Sequence, residues 1–322
     1  MMIDTHHHFV PDFYAKAVEE AGGDPSGWHV PSWSTEASEA SLAQNQATTA
    51  ILSLTAPGAA IAPSTEGSRA LARRANEFCA QVRDAQPAAF GFFAALPDLL
   101  DTEGALAEVA HALDTLGADG VTLFTRYGPG PCYLGHREFD AVWAALDARA
   151  ATVFVHPTHP VDTRRAHPAL LQPSVDYPHE TTRAAMDLLL AGNRRRFPRC
   201  KVILSHAGGT LPWLLPRTIY SRRGLAAEQI PDGVTYEQMM ADFRSFYFDL
   251  ALSTSHRGLD LLLAAVPHDH ITYGSDFPYA PSTSISNFRA DLESYPMDKE
   301  LREKIYFRNA LALLPRLRQY FE

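Results

Sequence analysis

Short β-rich runs alternate with longer stretches of helical periodicity along this chain, and the alternation limits the possible folds more than any other feature. The eight β-rich runs occupy residues 2–5, 50–55, 90–96, 120–125, 152–155, 201–205, 245–250 and 271–274. Residues 102–116 show the helical pattern, since apolar side chains recur at steps of three and four at Leu106, Val109, Leu113 and Leu116. Strands that alternate with helices favour an α/β protein with a parallel sheet, and 322 residues suffice to close that sheet into a (β/α)8 TIM barrel.

An open, doubly wound sheet is the alternative architecture, but no glycine-rich phosphate loop follows the first predicted strand. Residues 11–45 and 157–177 interrupt the alternation and are predicted to be insertions after the first and fifth strands. Insertions at these places lie on the C-terminal face of a barrel, where active sites are built. We therefore predict a single barrel domain over residues 1–322, with residues 11–45 as a small cap segment within it.

Composition excludes several classes of protein. The net charge of −9, without a cluster of basic residues, argues against nucleic-acid binding. The longest uncharged run, residues 40–65, is rich in Gln, Asn, Thr, Ser and Pro and does not predict a membrane span. Cys79, Cys132 and Cys200 are scattered without a CxxC pair, which is typical of free thiols in a reducing compartment. Because the N-terminus also lacks a basic and then apolar leader, we expect a cytoplasmic protein.

Polar side chains that suit a metal site or its chemistry follow or end most of the predicted strands. They are His6, His8, Arg126, His156, His206, Asp249 and Asp276. Imidazoles and carboxylates supplied by separate strands are the usual way to hold Zn²⁺ or a similar ion with open positions. His6 and His8 are two apart on an extended segment, so both face one side while His7 faces the other. A tag remnant or a histidine-rich surface loop is the alternative for this segment.

Some of these residues have two interpretations. His206 begins the turn His-Ala-Gly-Gly and could be a ligand or a general acid/base. Asp276, taken alone, would be interpreted as an N-cap or turn aspartate, but together with the other strand-end residues it is predicted to be a ligand that also handles protons. Asp249 could orient His206 or close a hydrogen bond in the core. Glu180 is predicted to lie in the first turn of a helix, where it needs only a structural role.

The substrate-facing residues are less specific in the sequence. Arg126 could contact a substrate or pair with a loop acid, and His159 could belong to a lid or be a solvated loop residue. Aromatic walls could come from Phe9, Trp28, Trp33, Tyr177 and Phe277, each of which could equally pack in the core.

The lysines predict one metal ion rather than two. A binuclear metal site built from strand-end histidines and aspartates would use a carbamylated lysine at the C-terminal end of one of the inner strands. No lysine lies between Lys16 and Lys201, and Lys201 begins its predicted strand rather than ending it.

Together these residues resemble the amidohydrolase superfamily, in the branch of aminocarboxymuconate-semialdehyde decarboxylase and related aromatic-acid decarboxylases. The motifs are DTHHH at residues 4–8, HPTHPVDT at 156–163, SHAGGTLPWL at 205–214 and GSDFP at 274–278. Further literal matches are GGDPSGW at 22–28, SLTAPG at 53–58, DGVTLFTRYG at 119–128 and DYPHETTRAAMDLL at 176–189. The likeness extends over nearly the whole chain.

The resemblance implies a mononuclear Zn²⁺ or Mn²⁺ site formed by His6, His8, His156 and Asp276. It implies that His206 is the catalytic histidine beside the metal. It further implies a homodimer, because Arg217 matches an arginine that reaches the neighbouring subunit's site. An ordinary surface arginine is the alternative for Arg217.

The chain departs from the aminocarboxymuconate enzyme just before the second strand. That enzyme has a substrate-binding arginine there, whereas residues 44–49 of this chain read QNQATT and contain no cation. The resemblance therefore implies decarboxylation of a hydroxylated aromatic acid with one carboxylate. A metal-dependent amidohydrolase or lactonase that uses the same ligands, and a non-catalytic metal-binding barrel, are the alternatives.

Overall fold

The computed structural model describes residues 1–321, and within them the predicted parallel sheet is present. The strands in chain order are β1 (Ile3–Phe9), β2 (Thr49–Leu54), β3 (Phe90–Ala95), β4 (Gly120–Phe124), β5 (Arg126–Tyr127), β6 (Cys132–Tyr133), β7 (Thr152–His156), β8 (Lys201–Leu204), β9 (Tyr247–Asp249) and β10 (Ile271–Thr272). Strands β5 and β6 form a separate antiparallel hairpin, and the other eight pair in parallel in chain order. Backbone hydrogen bonds from Thr5 to Tyr273 (3.0 Å) and from His8 to Phe277 (2.7 Å) join the first strand to the last. The predicted (β/α)8 barrel is confirmed.

Helices surround this barrel. In chain order they are α1 (Asp12–Glu20), α2 (Thr35–Gln44), α3 (Thr65–Ala85), α4 (Thr102–Ala110), α5 (Asp140–Ala148), α6 (Gln172–Leu190), α7 (Asn193–Arg196), α8 (Leu211–Ile219), α9 (Tyr236–Arg244), α10 (His256–Ala265), α11 (Ser282–Ser294), α12 (Lys299–Glu303) and α13 (Asn309–Leu313). The helical pattern predicted over 102–116 corresponds to α4 and a π-helical turn that continues it. None of the helices described in residues 1–321 is both long enough and apolar enough to cross a membrane.

Helix α6 corrects one prediction. The loop expected over residues 157–177 is too long at its C-terminal end, because α6 already begins at Gln172 with a proline in its first turn. Glu180 therefore lies in the middle of the helix and not in its first turn. Its buried carboxylate accepts a hydrogen bond from the Tyr133 hydroxyl at 2.9 Å.

Strand β1 contains a bulge that turns its histidines toward the barrel axis. Asp4 is paired with Ala50 and His7 with Leu52, so two residues of β1 face one residue of β2. Ile3 points into the barrel; the extra residue changes the alternation that follows, so that His6 and His8 point inward too. The sequence prediction ended this strand at residue 5, which was wrong: the strand continues to Phe9 and carries the histidines within it.

Apolar side chains close one end of the barrel interior. At this end, buried residues of the strands pack against buried residues of the last helical segments. The layer comprises Ile3, Ile51, Phe93, Phe154 and Ile203 from the strands and Ala310, Leu313, Leu314 and Leu317 from those segments. A second, larger cluster fills the space between the sheet and the surrounding helices. Because the N-terminal ends of the strands are sealed in this way, a polar site inside the barrel opens only at the C-terminal ends.

Candidate metal centre and active site

Three histidines and one aspartate converge at the C-terminal ends of the strands. One potential ligand atom from each of His6, His8, His156 and Asp276 lies within 4.8 Å of the others. The Nε2 atoms of His6 and His8 are 3.1 Å apart, and Asp276 Oδ1 lies 3.3 Å from the first and 3.2 Å from the second. The three imidazoles are at most 3% exposed. The structure thus brings together the four residues predicted as metal ligands.

The hydrogen bonds around this cluster leave its inner nitrogens free for a cation. Each imidazole donates through Nδ1 to an outer acceptor: Asp249 Oδ2 at 3.0 Å for His6, the Ser53 carbonyl at 3.2 Å for His8 and the Pro157 carbonyl at 2.8 Å for His156. The Nε2 atoms of His6 and His8 then face each other beside Asp276, and a bound cation would displace the proton that the two carboxylates favour on His6. Ligands that share a Zn²⁺ at about 2.1 Å lie about 3.0–3.4 Å apart, so the observed spacing fits a divalent ion.

The charges of the cluster also favour a cation. Burial opposes protonation of His6, but the Asp249 and Asp276 carboxylates outweigh burial and raise the pKa of His6 to about 10. Burial lowers the pKa of His8 and of His156. Burial alone would raise the pKa of Asp276, but hydrogen bonds from His206, His6 and His8 hold it well below its ordinary value. The Asp249 and Asp276 carboxylates thus favour a positive charge among the imidazoles.

His206 lies next to the predicted ligands in a strained turn after β8. Its φ is 55° and that of Asp276 is 64°, a left-handed conformation that costs a non-glycine residue about 1–3 kcal/mol. His206 Nε2 lies 3.6 Å from Asp276 Oδ2, and its Nδ1 has no hydrogen-bond partner within residues 1–321. Asp249 Oδ1 accepts from the His206 backbone at 3.2 Å while Oδ2 holds the His6 ring. Asp249 thus fixes both a predicted ligand and the histidine beside it.

His7 points away from the cluster, as the alternation predicted. Its Nδ1 lies 3.0 Å from Asp4 Oδ2 and its Nε2 lies 3.0 Å from the Ser38 hydroxyl on α2. The indole of Trp33 donates to the same hydroxyl at 2.8 Å. The middle histidine therefore ties strand β1 to the segment 11–45.

A cavity of about 490 Å³ opens onto the cluster. His156, His206 and Asp276 form part of its wall, while Trp28 and Tyr177 contribute aromatic surface. No arginine or lysine of residues 1–321 lines it. Its volume suits a substituted benzene ring, and a carboxylate bound there would find positive charge only at a metal.

Four predicted substrate contacts lie outside this cavity. Arg126 is buried and donates to backbone carbonyls, at 2.8 Å from both His159 and Gly128, so it braces the following loop instead of facing a substrate or pairing with a loop acid. His159 lies beside Arg126 in a separate hollow of about 220 Å³. The Phe277 ring packs on His7, with 4.8 Å between ring centroids, on the outer side of β1. Arg217, which was predicted to reach the neighbouring subunit's site rather than this one, is exposed on α8.

The wall also contains residues that the sequence reasoning missed. Asp24 and Ser26 come from the predicted cap segment, and Tyr279 follows Asp276 by three residues. Two features of the sequence pointed to these wall residues: the glycine-rich stretch GGDPSGW at 22–28, and the position of Tyr279 three residues after the predicted ligand Asp276. Two of the aromatic candidates lie elsewhere: Phe9 is a buried core residue, and the partly buried Trp33 packs against it with 6.1 Å between ring centroids.

Comparison with known proteins agrees with this geometry. A family model described as amidohydrolase matches residues 3–316. The chain belongs to this amidohydrolase family. It is 48% identical over 98% of its length to a 6-methylsalicylic acid decarboxylase of Penicillium expansum, covering 97% of that protein. It is 46% identical to a 6-methylsalicylic acid decarboxylase of Aspergillus aculeatus, covering 99% of this chain and 97% of that one.

A solved structure shares the fold. A dihydroxybenzoic acid decarboxylase from Polaromonas sp. JS666, crystallised with manganese and the inhibitor 2-nitroresorcinol, is 23% identical with a TM-score of 0.81. The alignment covers 98% of this chain and 96% of that one. The resemblance to amidohydrolase-type decarboxylases seen in the motifs is confirmed.

Proposed function

We propose that this protein is a metal-dependent, non-oxidative decarboxylase that converts 6-methylsalicylate into 3-methylphenol and CO₂. The observation that carries the proposal is a complete metal-ligand set at the base of a ring-sized cavity, in a chain 48% identical to a 6-methylsalicylic acid decarboxylase. A cavity without arginine or lysine among its described lining residues also suits this reaction. A tight cationic clamp on the departing carboxylate would stabilise the ground state and slow its loss.

His6, His8, His156 and Asp276 would hold the divalent ion. Three imidazole nitrogens and one carboxylate suit Zn²⁺, which we propose as the resident metal, with Mn²⁺ as the alternative. When bound, the ion would supply positive charge that lowers the pKa of a phenol and attracts the carboxylate beside it. Elemental analysis of protein purified without chelators distinguishes the two metals.

The residues around the ring perform the remaining tasks. The bond between the ring and its carboxylate breaks, CO₂ leaves, and the ring carbon takes up a proton. His206 borders the cavity with an unpartnered Nδ1 and with Nε2 close to Asp276, so we assign proton delivery to this pair. Trp28 lines the cavity, and its indole N–H has no partner within residues 1–321, which leaves it free to donate to a substrate oxygen.

The test is an activity panel on metal-loaded protein. We expect 3-methylphenol and CO₂ from 6-methylsalicylate, and no opening of simple lactones. His206→Ala should keep the metal and lose at least about 100-fold in kcat, as expected for removal of a general acid. Hydrolysis of lactones without decarboxylation would identify a hydrolase, and absence of turnover with every aryl acid would identify a non-catalytic barrel.

We also propose a homodimer in which the exposed face of α8 meets a second copy. Trp213 is 73% exposed and the nearby Tyr220 is 56% exposed, and both lie close in sequence to Arg217. Large aromatic and arginine side chains are typical of interface centres. Light scattering tests the oligomeric state, and Trp213→Glu should shift a dimer to a monomer.

A cytoplasmic location remains our proposal from the free cysteines. Cys79, Cys132 and Cys200 are unpaired in the structure, and Cys79 and Cys200 are buried. Fractionation of cells that express the protein tests this location.

A further inference from the structure

The turn at residues 22–28 places a carboxylate at the opening of the cavity. Asp24 lines the same cavity as Asp276 and also an adjoining surface hollow, so it lies where the two spaces meet. Gly22 and Gly23 immediately precede it with φ of +95° and +99°, values that side-chain-bearing residues rarely adopt. Glycine at these positions therefore allows the turn to form without backbone strain.

Local hydrogen bonds fix the orientation of Asp24. Its Oδ1 accepts from the Ser26 backbone N–H at 2.8 Å, and the buried Ser26 hydroxyl accepts from the Trp28 backbone at 3.2 Å. Within residues 1–321 no arginine or lysine pairs with Asp24. Lys16, which lines the same surface hollow, lies 3.7 Å from Glu20 instead. The carboxylate is held in place without a neutralising partner.

The interior of the cavity therefore carries acids at both ends. Asp276 belongs to the predicted metal site, whose cation would neutralise it, whereas Asp24 has no such counterion. Tyr177 and Tyr279 line the same cavity as the two acids, and burial, together with the Asp24 and Asp276 carboxylates, raises the pKa of both phenols. Burial also raises the pKa of Asp24, because it removes part of the carboxylate's contact with water. A second anion nearby would disfavour its charge further.

We propose that Asp24 is a specificity-determining residue that admits aromatic acids with a single carboxylate and rejects rings that carry a second one. The inference rests on the proposed function and deepens it, because it names a residue that restricts the substrate class. The missing cation before β2 removes an attraction for a second carboxylate, and Asp24 adds a repulsion against it. Like charges brought together in a partly buried site weaken binding by on the order of tenfold or more.

The test uses two analogues in which a nitro group replaces the departing carboxylate and which differ from each other by one group. In 3-methyl-2-nitrophenol a nitro group replaces the departing carboxylate of 6-methylsalicylate; in 3-hydroxy-2-nitrobenzoate the methyl group is also replaced by a carboxylate. Calorimetry on metal-loaded protein gives both dissociation constants. We expect the wild-type protein to bind the carboxylate analogue at least tenfold more weakly, and Asp24→Asn to reduce that ratio by about tenfold.

Asparagine keeps the oxygen that accepts from Ser26, so the turn is preserved in this variant. Asp24→Ser is a second variant that also keeps an acceptor and should change the ratio in the same direction. Glu19→Gln is the matched control, because Glu19 lines the outer hollow but not the cavity, and the ratio should stay at its wild-type value.

The outcomes separate this inference from the proposed function. An unchanged ratio in both Asp24 variants overturns the assignment of Asp24, even if 6-methylsalicylate is decarboxylated. A reduced ratio in a protein that does not decarboxylate 6-methylsalicylate supports Asp24 and refutes the proposed activity. If the wild-type protein binds neither analogue but decarboxylates 6-methylsalicylate, the assignment of Asp24 is overturned and the proposed activity stands.

Discussion

Replacement of Asp249 by asparagine tests how the metal ligands are oriented. Asp249 Oδ1 accepts two backbone N–H groups, from His206 at 3.2 Å and Ala251 at 2.9 Å, while Oδ2 accepts from His6 Nδ1 at 3.0 Å. Asparagine can keep the first two bonds through its oxygen, but it presents an N–H₂ group to His6. The imidazole must then move its proton to Nε2, the atom that would bind the metal, or lose the hydrogen bond.

Loss of such an outer partner lowers metal affinity by about 10–100-fold, or about 1.4–2.7 kcal/mol. We expect a loss of this size in Asp249→Asn, measured by competition with a chelating indicator at neutral pH. Asp119→Asn is the matched control: this aspartate is also buried, but it binds Arg316 and the Phe92 backbone, remote from the predicted ligands. A folded Asp249→Asn protein with an affinity within about twofold of wild type would refute the reasoning.

Three further predictions concern residues near the cavity and at the closed end of the barrel. Gly209→Ala should lower both thermal stability and kcat, because a Cβ there would overlap the Pro178 carbonyl oxygen beside the cavity; a variant with wild-type melting temperature and kcat contradicts this. Ile51→Ala should lower the free energy of unfolding by about 2–5 kcal/mol in denaturant titrations while KM stays unchanged, since Ile51 belongs to the sealed end of the barrel. Burial and the Arg126 guanidinium lower the pKa of His159 to about 4, so the unfolded chain binds this proton first as pH falls below 6.5. Stability should therefore decrease between pH 6.5 and 4, and His159→Gln should make that decrease shallower in unfolding titrations; an unchanged slope contradicts the assignment.

The barrel and the composition of its metal cluster could be predicted because both depend on simple periodicities. Parallel strands end on one face, so polar residues at the ends of separate runs, such as His156 and Asp276, must approach one another. The spacing of His6 and His8 likewise implied that both face one way. The roles of these residues in binding and catalysis stay predictions, as do the single metal ion and the single domain over residues 1–322.

Other features depend on contacts that no local pattern encodes. The bulge in β1 arises from its register with β2, which the sequence of β1 alone does not contain. Arg126 was expected at the substrate because it follows a strand, but its position depends on how the loop after His156 folds back to offer carbonyl groups. Asp24 was not singled out because an insertion has no periodicity that shows where its turn will lie.

Decarboxylation of 6-methylsalicylate in D₂O is the most direct test of the central claim. A non-oxidative reaction replaces the carboxylate by a proton from the solvent-exchangeable pool, and we assign its delivery to His206 and Asp276. We predict one CO₂ per 3-methylphenol, with a single deuterium at the carbon between the hydroxyl and methyl groups and no consumption of O₂. A metal-loaded protein that forms no 3-methylphenol, or forms it without deuterium at that carbon, would contradict the account.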